Sequence, residues 1–518
     1  AKQLLKRPES FALLEQLPEP KNIWKYFLLC TETPRPSHKL DTFRKVLSDL
    51  APLLDCEHKI DSAGNLRLRA KASKGFENAP KICLQAHMDM VTSANGDVTI
   101  DFDKDPINVF LTEKNGECWM QAKGTTLGAD NGMGLASALA IFEDAKAGKF
   151  EHGQIEAVFT ADEETTMGGA ENLAPAPYLD SDILLNVDSE EEYSICIGCA
   201  GGMENSFKLP FERSPLPDNF TCLSLHLKGL LGGHSGIEIH TGRANSLKCL
   251  NKLIRLVNKE LFGKLLLVSF VGGGAPNVIP REAEATVAVP SELSEKAQEA
   301  FKKFFNEMKE SFLSVEHRVI NEKRESVMIL DINTVESNEK TLDAPSTLKV
   351  IDAIELFHSG VIRMNFDVPG LVETSINLSN VSTNEDHLAL YSFARSSSNG
   401  ALDLVQDSVE AFARLTGASV SDQLNKFPGW DPKIDSLALT EMKEAHLEVM
   451  KRDARVYAVH AGLECGLIQA VYPEISCISV GPEIHHAHSP DECLLVPSVK
   501  RYYDLVIRFM ERIAKKQQ

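Results

Sequence analysis

The sequence predicts an α/β domain that is split by an inserted α+β domain. Near both ends of the chain, short apolar runs alternate with helix-like segments, which is typical of a sheet covered by helices. Between about residues 200 and 400 the pattern changes to alternating strands, glycine-rich turns and charged helices. We therefore expect residues 1–202 and 399–518 to form the α/β domain and residues 203–398 to form the insertion.

The predicted strands of the first part share one feature, since each apolar run leads directly into polar or acidic residues. They are Lys81–Met90, Ile155–Thr160 and Ile183–Val187. A helix rich in alanine and leucine is predicted over Asn131–Ala147, and Asp130 is a suitable N-cap residue for it.

The insertion begins with an alternating strand at Phe220–Lys228, followed by two predicted helices at Asn245–Leu261 and Ser294–Ser314. Glycine-rich turns lie between these elements. After residue 400 come an apolar helix, a Pro/Trp loop at Phe427–Pro432 and a second set of short strand-like runs. We find no internal sequence repeat.

Composition excludes several classes of protein. The 518 residues carry a formal net charge of −20, which disfavours binding to a phosphate backbone. No apolar run reaches the roughly 18–20 residues that a membrane helix needs, so no membrane partner is expected. The first 17 residues read as an amphipathic helix without the apolar core of a signal peptide. Eleven scattered cysteines indicate reduced thiols and a cytoplasmic location.

Polar side chains that could hold a metal ion follow the predicted strands. His87 and Asp89 lie two residues apart, so that an imidazole ligand could have a carboxylate behind it. Asp130 stands between glycines in the segment GADNG, where both of its carboxylate oxygens could be used. Taken singly, a polar loop explains the first pair and a helix N-cap explains Asp130 equally well.

Further acidic residues repeat this arrangement. Glu163 and Glu164 are adjacent in ADEETT, so one could bind a metal ion while the other acts as a general base. Asp188 ends the run LLNVD, and His488 precedes a rigid Ser-Pro turn. A solvated acidic turn remains an alternative for the glutamates. Because ligands bind at the carboxyl ends of strands in α/β sheets, these residues together indicate a two-metal hydrolase.

The order of short motifs along the chain resembles that of the M20 metallopeptidases, and within them the aminoacyl-histidine dipeptidases. The motifs are HMDM, GADNG, ADEET, NVDSEEE with IGCAGG, GGHSG, HAGLECG and HSPDE, and the resemblance covers roughly residues 20–512. It implies a catalytic α/β domain with a dinuclear metal site, interrupted by a lid domain that also forms a homodimer.

The resemblance also implies roles for the residues of the α/β domain. His87 and Asp188 would hold one metal ion, Glu164 and His488 the other, and Asp130 would bridge them. Asp89 would orient His87, and Glu163 would be the general base that accepts a proton from the bridging water. The mixed imidazole and carboxylate ligands suit Zn²⁺ most, with Mn²⁺ or Co²⁺ as alternatives.

For substrate binding, the resemblance implies four further residues. His234 in GGHSG would approach the carbonyl oxygen as an oxyanion donor. Asn277 and Arg395 would grip the substrate, with Arg395 on the terminal carboxylate. Glu464 would receive the free amino group. The expected reaction is hydrolysis of unblocked dipeptides, with histidine as the second residue.

Some alternatives stay open at this level. His485 and His486 compete with His488, and His240 competes with His234. Cys196 and Cys199 are interpreted as a buried structural pair, and Cys465 as a core residue. Other functions for the same fold are an aminoacylase, a deacetylase, a tripeptidase or a non-catalytic binding protein. The sequence contains no HExxH, GxSxG or GxxxxGK[ST] motif, which excludes the corresponding enzyme classes.

Overall fold

The structure is a computed structural model that describes residues 4–320, 322–337, 340–421 and 424–516. Its α-helices are α1 (Pro8–Gln16), α2 (Lys21–Glu32), α3 (Asp41–Leu50), α4 (Ala129–Lys146), α5 (Glu163–Thr166), α6 (Gly168–Glu171), α7 (Ser246–Glu260), α8 (Ser294–Phe312), α9 (Ala344–Leu356), α10 (Asn399–Thr416), α11 (Leu437–Met450), α12 (Glu464–Val471) and α13 (Val496–Ala514).

The strands of the first half of the chain are β1 (Glu57–Ile60), β2 (Leu66–Ala70), β3 (Ile82–His87), β4 (Val109–Lys114), β5 (Glu117–Ala122), β6 (Ile155–Thr160), β7 (Ile183–Asn186), β8 (Ser194–Cys199), β9 (Gly201–Pro210), β10 (Arg213–Ser214), β11 (Phe220–Lys228), β12 (Gly233–His234), β13 (Leu266–Gly273) and β14 (Val278–Ile279). Those of the second half are β15 (Ala283–Pro290), β16 (His317–Ile320), β17 (Lys323–Ser326), β18 (Ile329–Val335), β19 (Thr341–Leu342), β20 (Gly360–Met364), β21 (Val372–Thr383), β22 (His387–Ser396), β23 (Ser419–Val420), β24 (Leu424–Phe427), β25 (Arg455–Val459), β26 (Ser476–Ser479), β27 (Ile484–His485) and β28 (Cys493–Leu495).

The chain divides into two compact units. The first comprises residues 1–198, 432–458 and 463–518, and the second comprises residues 199–431 and 459–462. This division differs from the predicted boundary at residue 398, because α10 packs into the core of the second unit and both β23 and β24 pair with β9. The short return at 459–462 was also not predicted.

An eight-stranded mixed sheet organises the first unit, in the order β1-β2-β6-β3-β7-β26-β8-β25. At its centre, β6 and β7 both run parallel to β3, and β26 runs parallel to β7. Helix α4 packs against β3 and α2, and its residues are almost all buried. Parallel strands end at the same edge of a sheet, so the residues that follow β3, β6 and β7 come together there.

The second unit is a two-layer α+β domain, which confirms the predicted fold class of the insertion. Its main sheet has the order β18-β11-β15-β13-β21-β22-β9-β23, with β20 beside β21 and β24 beside β9. Apolar residues of α7, α8, α9 and α10 form one core with one face of this sheet. The opposite face carries polar residues, among them Ser375 and Arg395.

The second unit contains a structural repeat that the sequence does not show. One half follows the order β11-α7-β13-β15-α8-β18, and the other follows β9-α9-β21-β22-α10-β23. If the four strands of each half are numbered 1 to 4 in chain order, the order of strands across the sheet is 4-1-3-2 in the first half and 2-3-1-4 in the second. Strand 2 of each half, which is β13 in the first and β21 in the second, therefore lies at the centre of the sheet, and these two strands pair antiparallel. The two halves therefore share one order of elements and one strand order, reversed across the β13–β21 pair.

None of the helices in the described part of the chain is both long enough and apolar enough to cross a membrane.

Candidate functional site

Asp130 lies between two histidines of the first unit. Its Oδ1 is 2.9 Å from Nε2 of His87, and its Oδ2 is 2.9 Å from Nε2 of His488. Asp130 stands at the start of α4 with an extended backbone, so its carboxylate points away from the helix. A carboxylate with one oxygen toward each of two imidazoles has the geometry of a bridging metal ligand.

On the side of His87, the site contains two further carboxylates, one from Asp188 next to Asp130 and one from Asp89 that orients the His87 ring. Asp188 follows β7, and its Oδ1 is 3.5 Å from Nε2 of His87. The other ring nitrogen of His87, Nδ1, lies 3.4 Å from Oδ1 of Asp89 and 3.1 Å from the Asp89 carbonyl. Nε2 is thereby directed at Asp130 and Asp188, which is the arrangement of a metal-binding histidine backed by a carboxylate.

The His488 side contains the paired glutamates. Oε2 of Glu164 is 3.0 Å from Nε2 of His488, whereas Oε2 of Glu163 is 3.9 Å from Nε2 of His87. Asp89 fixes both glutamates, because its two oxygens accept the backbone N–H groups of Glu163 at 3.0 Å and Glu164 at 3.1 Å. The short helix α5 therefore presents its adjacent carboxylates to different parts of the site.

The donor set fits divalent cations. Ligand atoms of His87, Asp130 and Asp188 lie within 4.8 Å of one another, and so do those of Asp130, Glu164 and His488. Among the described residues, no lysine or arginine forms an ion pair with any of these carboxylates. Oε1 of Glu164 is buried and has no hydrogen-bond partner among the residues that the structure describes. Buried carboxylates with only histidine as a cationic neighbour need additional positive charge, which metal ions supply.

The pKa values of Asp89 and Glu163 are shifted in opposite directions. Burial by itself would raise the pKa of Asp89, but hydrogen bonds from His87, Ser37 and the Glu163 N–H lower it to about 2. Asp89 is therefore a fixed negative charge. Burial, reinforced by the nearby carboxylates of Glu464 and Glu164, raises the pKa of Glu163 to about 8. A carboxylate with a raised pKa is suited to accepting and releasing a proton near neutral pH.

Two residues that support the site were not assigned from the sequence. Glu492 accepts four consecutive backbone N–H groups, those of residues 127–130, at 2.7–3.2 Å. Arg35 is 2% exposed and donates to the carbonyls of Met88, Asp89 and Gly128. Glu492 belongs to the motif HSPDE, so the sequence could have pointed to it as a residue of the site. No pattern around Arg35 distinguishes it from a surface arginine.

Glycines of the segment GADNG make room for Arg35. A Cβ on Gly128, whose φ is +71°, would lie 2.6 Å from Nη2 of Arg35, and a Cβ on Gly132 would also lie 2.6 Å from that atom. These two positions therefore accept only glycine while Arg35 holds the loop.

Glu464 is more deeply buried than we expected for a residue that receives the amino group of the substrate. It is 2% exposed, and its Oε2 accepts hydrogen bonds from Gln85 at 2.7 Å and Thr160 at 2.9 Å. Its Oε1 is buried, and no described residue forms a hydrogen bond with it. Burial raises its pKa to about 7. One oxygen is thus already used inside the protein, and only the other could receive an amino group.

In the second unit, His234 is held in one tautomer. Its Nδ1 accepts hydrogen bonds from the backbone N–H groups of Gly236 and Ile237, both at 3.1 Å. The proton of the neutral ring must therefore sit on Nε2, which makes that atom a donor. His240, the alternative, is exposed in a single 3₁₀ turn.

Asn277 and Arg395 also belong to the second unit, in different environments. The side chain of Asn277 is exposed, and its backbone carbonyl accepts the N–H of Ser235 at 2.8 Å. Arg395 is 4% exposed on β22, with its guanidinium 4.3 Å from the ring centroid of Phe393.

The competing residues are placed elsewhere. His485 pairs with Glu483 at 2.6 Å and packs on Trp119, and His486 is exposed, so His488 is the member of this group that contacts Asp130 and Glu164. Cys196 and Cys199 are both buried in β8, and Cys465 is buried at the start of α12.

Comparison with known proteins identifies the family to which the chain belongs. The sequence profile of peptidase family M20/M25/M40 matches residues 83–512, which is most of the chain. The chain belongs to this family. It is therefore a hydrolase that acts on peptide bonds, and the predicted resemblance and fold class are confirmed.

Two relatives within the family cover almost the whole chain. The cytosol non-specific dipeptidase of Escherichia coli (strain K12) is 35% identical over 503 residues, covering 97% of this chain and 99% of that protein. The crystal structure of aminoacylhistidine dipeptidase from Vibrio alginolyticus has a TM-score of 0.87 and 34% identity, covering 96% of this chain and 97% of that one.

A tripeptidase from Staphylococcus aureus shares the family fold at greater distance, with a TM-score of 0.58, 16% identity and coverage of 96% of this chain and 100% of that one.

Proposed function

We propose that the chain is a two-metal dipeptidase that hydrolyses unblocked dipeptides, including those with histidine as the second residue. The observation that carries this proposal is the position of Asp130, with one carboxylate oxygen 2.9 Å from each of two histidines. The names of the two full-length relatives support a dipeptide substrate, one described as non-specific and one as acting on aminoacylhistidine.

The metal ligands in this proposal divide into two sets that share Asp130. His87 and Asp188 would complete one set, and Glu164 and His488 the other. The combination of imidazole and carboxylate ligands favours Zn²⁺, with Mn²⁺ or Co²⁺ as alternatives. Bound there, two divalent cations would polarise the peptide carbonyl and lower the pKa of a water molecule.

Glu163 is the general base in this proposal. It belongs to neither of the two ligand sets, its backbone is fixed by Asp89, and its pKa is raised by burial. It would accept the proton of the attacking water and transfer it to the leaving amine. Asp89 keeps the ring of His87 in place and remains ionised throughout.

We propose that the second unit binds the substrate as a lid. Nε2–H of His234 is a donor suited to the developing oxyanion, because Nδ1 is already occupied by two backbone N–H groups. The buried guanidinium of Arg395 is suited to the terminal carboxylate, with Asn277 as a further contact. Glu464 would receive the free amino group through Oε1.

A homodimer through the second unit is also proposed. An apolar cavity of about 370 Å³ lies between α9, β20 and α10, and Leu356, Ile362 and Leu404 at its rim are 74%, 48% and 64% exposed. A second copy would cover these side chains. Light scattering on the wild type and on Leu404→Glu tests this; a monomeric wild type would contradict it.

We further propose that the protein acts in the cytosol, as the name of the Escherichia coli relative, a cytosol non-specific dipeptidase, suggests.

A substrate panel tests the proposed activity. Purified protein loaded with Zn²⁺, Mn²⁺ or Co²⁺ is offered Xaa-His, Xaa-Ala and Xaa-Leu dipeptides, a tripeptide, and N-acetylated amino acids. We expect cleavage of free dipeptides, loss of activity with a chelator and no cleavage of the N-acetylated compounds. Preferential cleavage of N-acetylated compounds would show an aminoacylase or deacetylase instead, and no cleavage at all would favour a binding protein.

A further inference from the structure

The segment of residues 35–38 is anchored beside the end of β3. Nη1 of Arg35 donates to the main-chain carbonyls of residues 88–89 at 3.0 and 2.7 Å. The carbonyl of Arg35 accepts the N–H of Met90 at 3.2 Å, and Pro36 forms a parallel bridge with the same residue. Because Arg35 and Pro36 are also buried, the two residues that follow them leave from a fixed position.

Ser37, the third residue of this segment, supports the carboxylate of Asp89. Its hydroxyl donates to Oδ2 of Asp89 at 2.7 Å. The same oxygen accepts the backbone N–H of Glu164 at 3.1 Å, while Oδ1 accepts that of Glu163 at 3.0 Å. The Ser37 hydroxyl therefore fixes the rotation of the carboxylate that holds both glutamates, and a hydrogen bond to an ionised acceptor is a strong one.

His38, the fourth residue, contacts the residue that precedes the glutamates. Its backbone N–H donates to Oδ1 of Asp162 at 2.6 Å, and its ring Nδ1 is 3.2 Å from Oδ2 of Asp162. Two adjacent residues of one segment thus hold two carboxylates that adjoin the glutamate pair. Asp162 adjoins the pair in the sequence, and Asp89 adjoins it through hydrogen bonds.

Helix α5, which carries both glutamates, needs this support because it is a single turn. The bonds that close it include those from the Thr166 N–H to the Asp162 carbonyl at 3.2 Å and from the Met167 N–H to the Glu163 carbonyl at 3.1 Å. A helix this short is not stable in water by itself. Asp162 also has a left-handed backbone, with φ +57° and ψ +38°, and its contact with His38 offsets the cost of that conformation.

We propose that Ser37 and Asp162 are positioning residues for the general base, through which residues 35–38 hold α5 against the end of β3. This inference rests on the proposed role of Glu163. Both residues act through the backbone of α5 and not on the substrate. They keep the Glu163 carboxylate within hydrogen-bond reach of the proton that it accepts, and displacement of a catalytic group by about 1 Å is enough to slow a reaction strongly.

Replacement of Asp162 tests the first contact. Asp162→Gly tolerates the left-handed backbone but removes the carboxylate that His38 binds. At saturating metal, kcat for a dipeptide should fall about 10- to 100-fold, as for a displaced catalytic group, while KM stays close to that of wild type. Asp162→Asn keeps an acceptor oxygen and suits the same backbone, so it should restore most of the rate. Asp55→Gly is the matched control, because Asp55 is exposed and has nearly the same angles, φ +57° and ψ +41°.

Replacement of Ser37 tests the second contact. In Ser37→Ala, kcat should fall about tenfold, the lower end of the range for residues behind metal ligands, again with KM close to that of wild type. Ser37→Thr retains the hydroxyl and should restore most of the rate. Ser48→Ala is the control, since Ser48 is also half-buried and its hydroxyl donates to a carbonyl within α3 at 2.9 Å. Normal kcat in both Asp162→Gly and Ser37→Ala would overturn the proposal, and so would a loss that Ser37→Thr and Asp162→Asn do not restore.

Hydrogen exchange of the metal-free protein, measured by mass spectrometry, separates this inference from the proposed function because it requires no turnover. We expect the peptide that contains residues 161–168 to exchange faster in Asp162→Gly and Ser37→Ala than in wild type, and at the wild-type rate in both controls. Faster exchange in a protein that cleaves no dipeptide would support the hold on α5 and contradict the dipeptidase function. Unchanged exchange in an active dipeptidase would overturn the positioning role alone.

Discussion

At the scale of single residues, the adjacent glutamates are the most informative pair. Both follow β6, and their backbone N–H groups are bound by the two oxygens of Asp89, yet only Glu164 contacts His488. Their different surroundings predict different roles, and each residue serves as the control for the other.

Glu163→Gln should therefore retain two metal ions and lose about 10²- to 10⁴-fold in kcat, the contribution typical of a general base. Glu164→Gln should lose one metal ion per chain. Elemental analysis and steady-state kinetics on both variants measure this. Near-normal kcat in Glu163→Gln would assign the proton transfer to another group.

Glu492 supports Asp130 through the backbone, so its removal should act on metal binding without removing a ligand. In Glu492→Ala the four N–H groups of residues 127–130 lose their acceptor. We expect metal affinity to fall about 10- to 100-fold, as for other residues behind metal ligands. The exposed neighbour in Asp491→Asn is the control. Equal metal affinity in the two variants would show that the loop holds its shape without Glu492.

The sequence pointed to the candidate metal ligands but not to Arg35 and Glu492, which hold them in position, and the reason is physical. His87, Asp130, Glu164, Asp188 and His488 follow predicted strands or stand in glycine-flanked turns, so local pattern and the family resemblance both pointed to them. The structure brings these five side chains together. Arg35 acts through main-chain carbonyls of distant segments, and such contacts leave no trace in side-chain spacing.

At the scale of elements, the predicted strands and helices agree with the structure more closely than the boundaries do. The helix predicted at Asn131–Ala147 is α4, and the strand at Phe220–Lys228 is β11. The boundary at residue 398 differs, because pairing of β23 and β24 with β9 joins segments about 200 residues apart. The structural repeat was also hidden, because a shared order of elements requires only similar hydrophobic patterns.

The GGHSG loop is closely packed at Gly236. Gly236→Ala would place a Cβ 2.1 Å from the carbonyl oxygen of His460, so the loop must move and carry His234 with it. We expect at least a tenfold loss in kcat/KM while both metal ions remain bound. Gly400→Ala is the control, since nothing lies within 4 Å of a Cβ there. Full activity in Gly236→Ala would show that His234 does not depend on this loop conformation.

At the scale of the whole molecule, the carboxylates and histidines of the site make stability depend on pH. Burial raises the pKa of Glu163 to about 8 and of Glu464 to about 7, and hydrogen bonds to Asp130 and Glu164 raise that of His488 to about 11. A group with a raised pKa stabilises the folded state fully below its unfolded pKa and loses this contribution as pH rises through the folded value.

The metal-free protein should therefore lose stability as the pH rises from about 4.5, the ordinary pKa of the glutamates, through about 7 and 8, and the contribution of His488 should be lost toward about pH 11. Of these three groups His488 is a proposed metal ligand, and a divalent cation needs it deprotonated, so the stabilising effect of the cation should grow as the pH rises. Thermal unfolding with and without Zn²⁺ at pH 6 and pH 8 measures both effects. A metal-induced increase in Tm that is larger at pH 6 than at pH 8 would contradict this assignment.

The central claim is that five distant side chains bind two cations through one shared carboxylate. Diffraction from crystals grown with Zn²⁺, recorded at the zinc absorption edge, tests it most directly. We predict two anomalous peaks on either side of Asp130, one contacting His87 and Asp188 and the other contacting Glu164 and His488. A single peak, or peaks away from Asp130, would contradict the account.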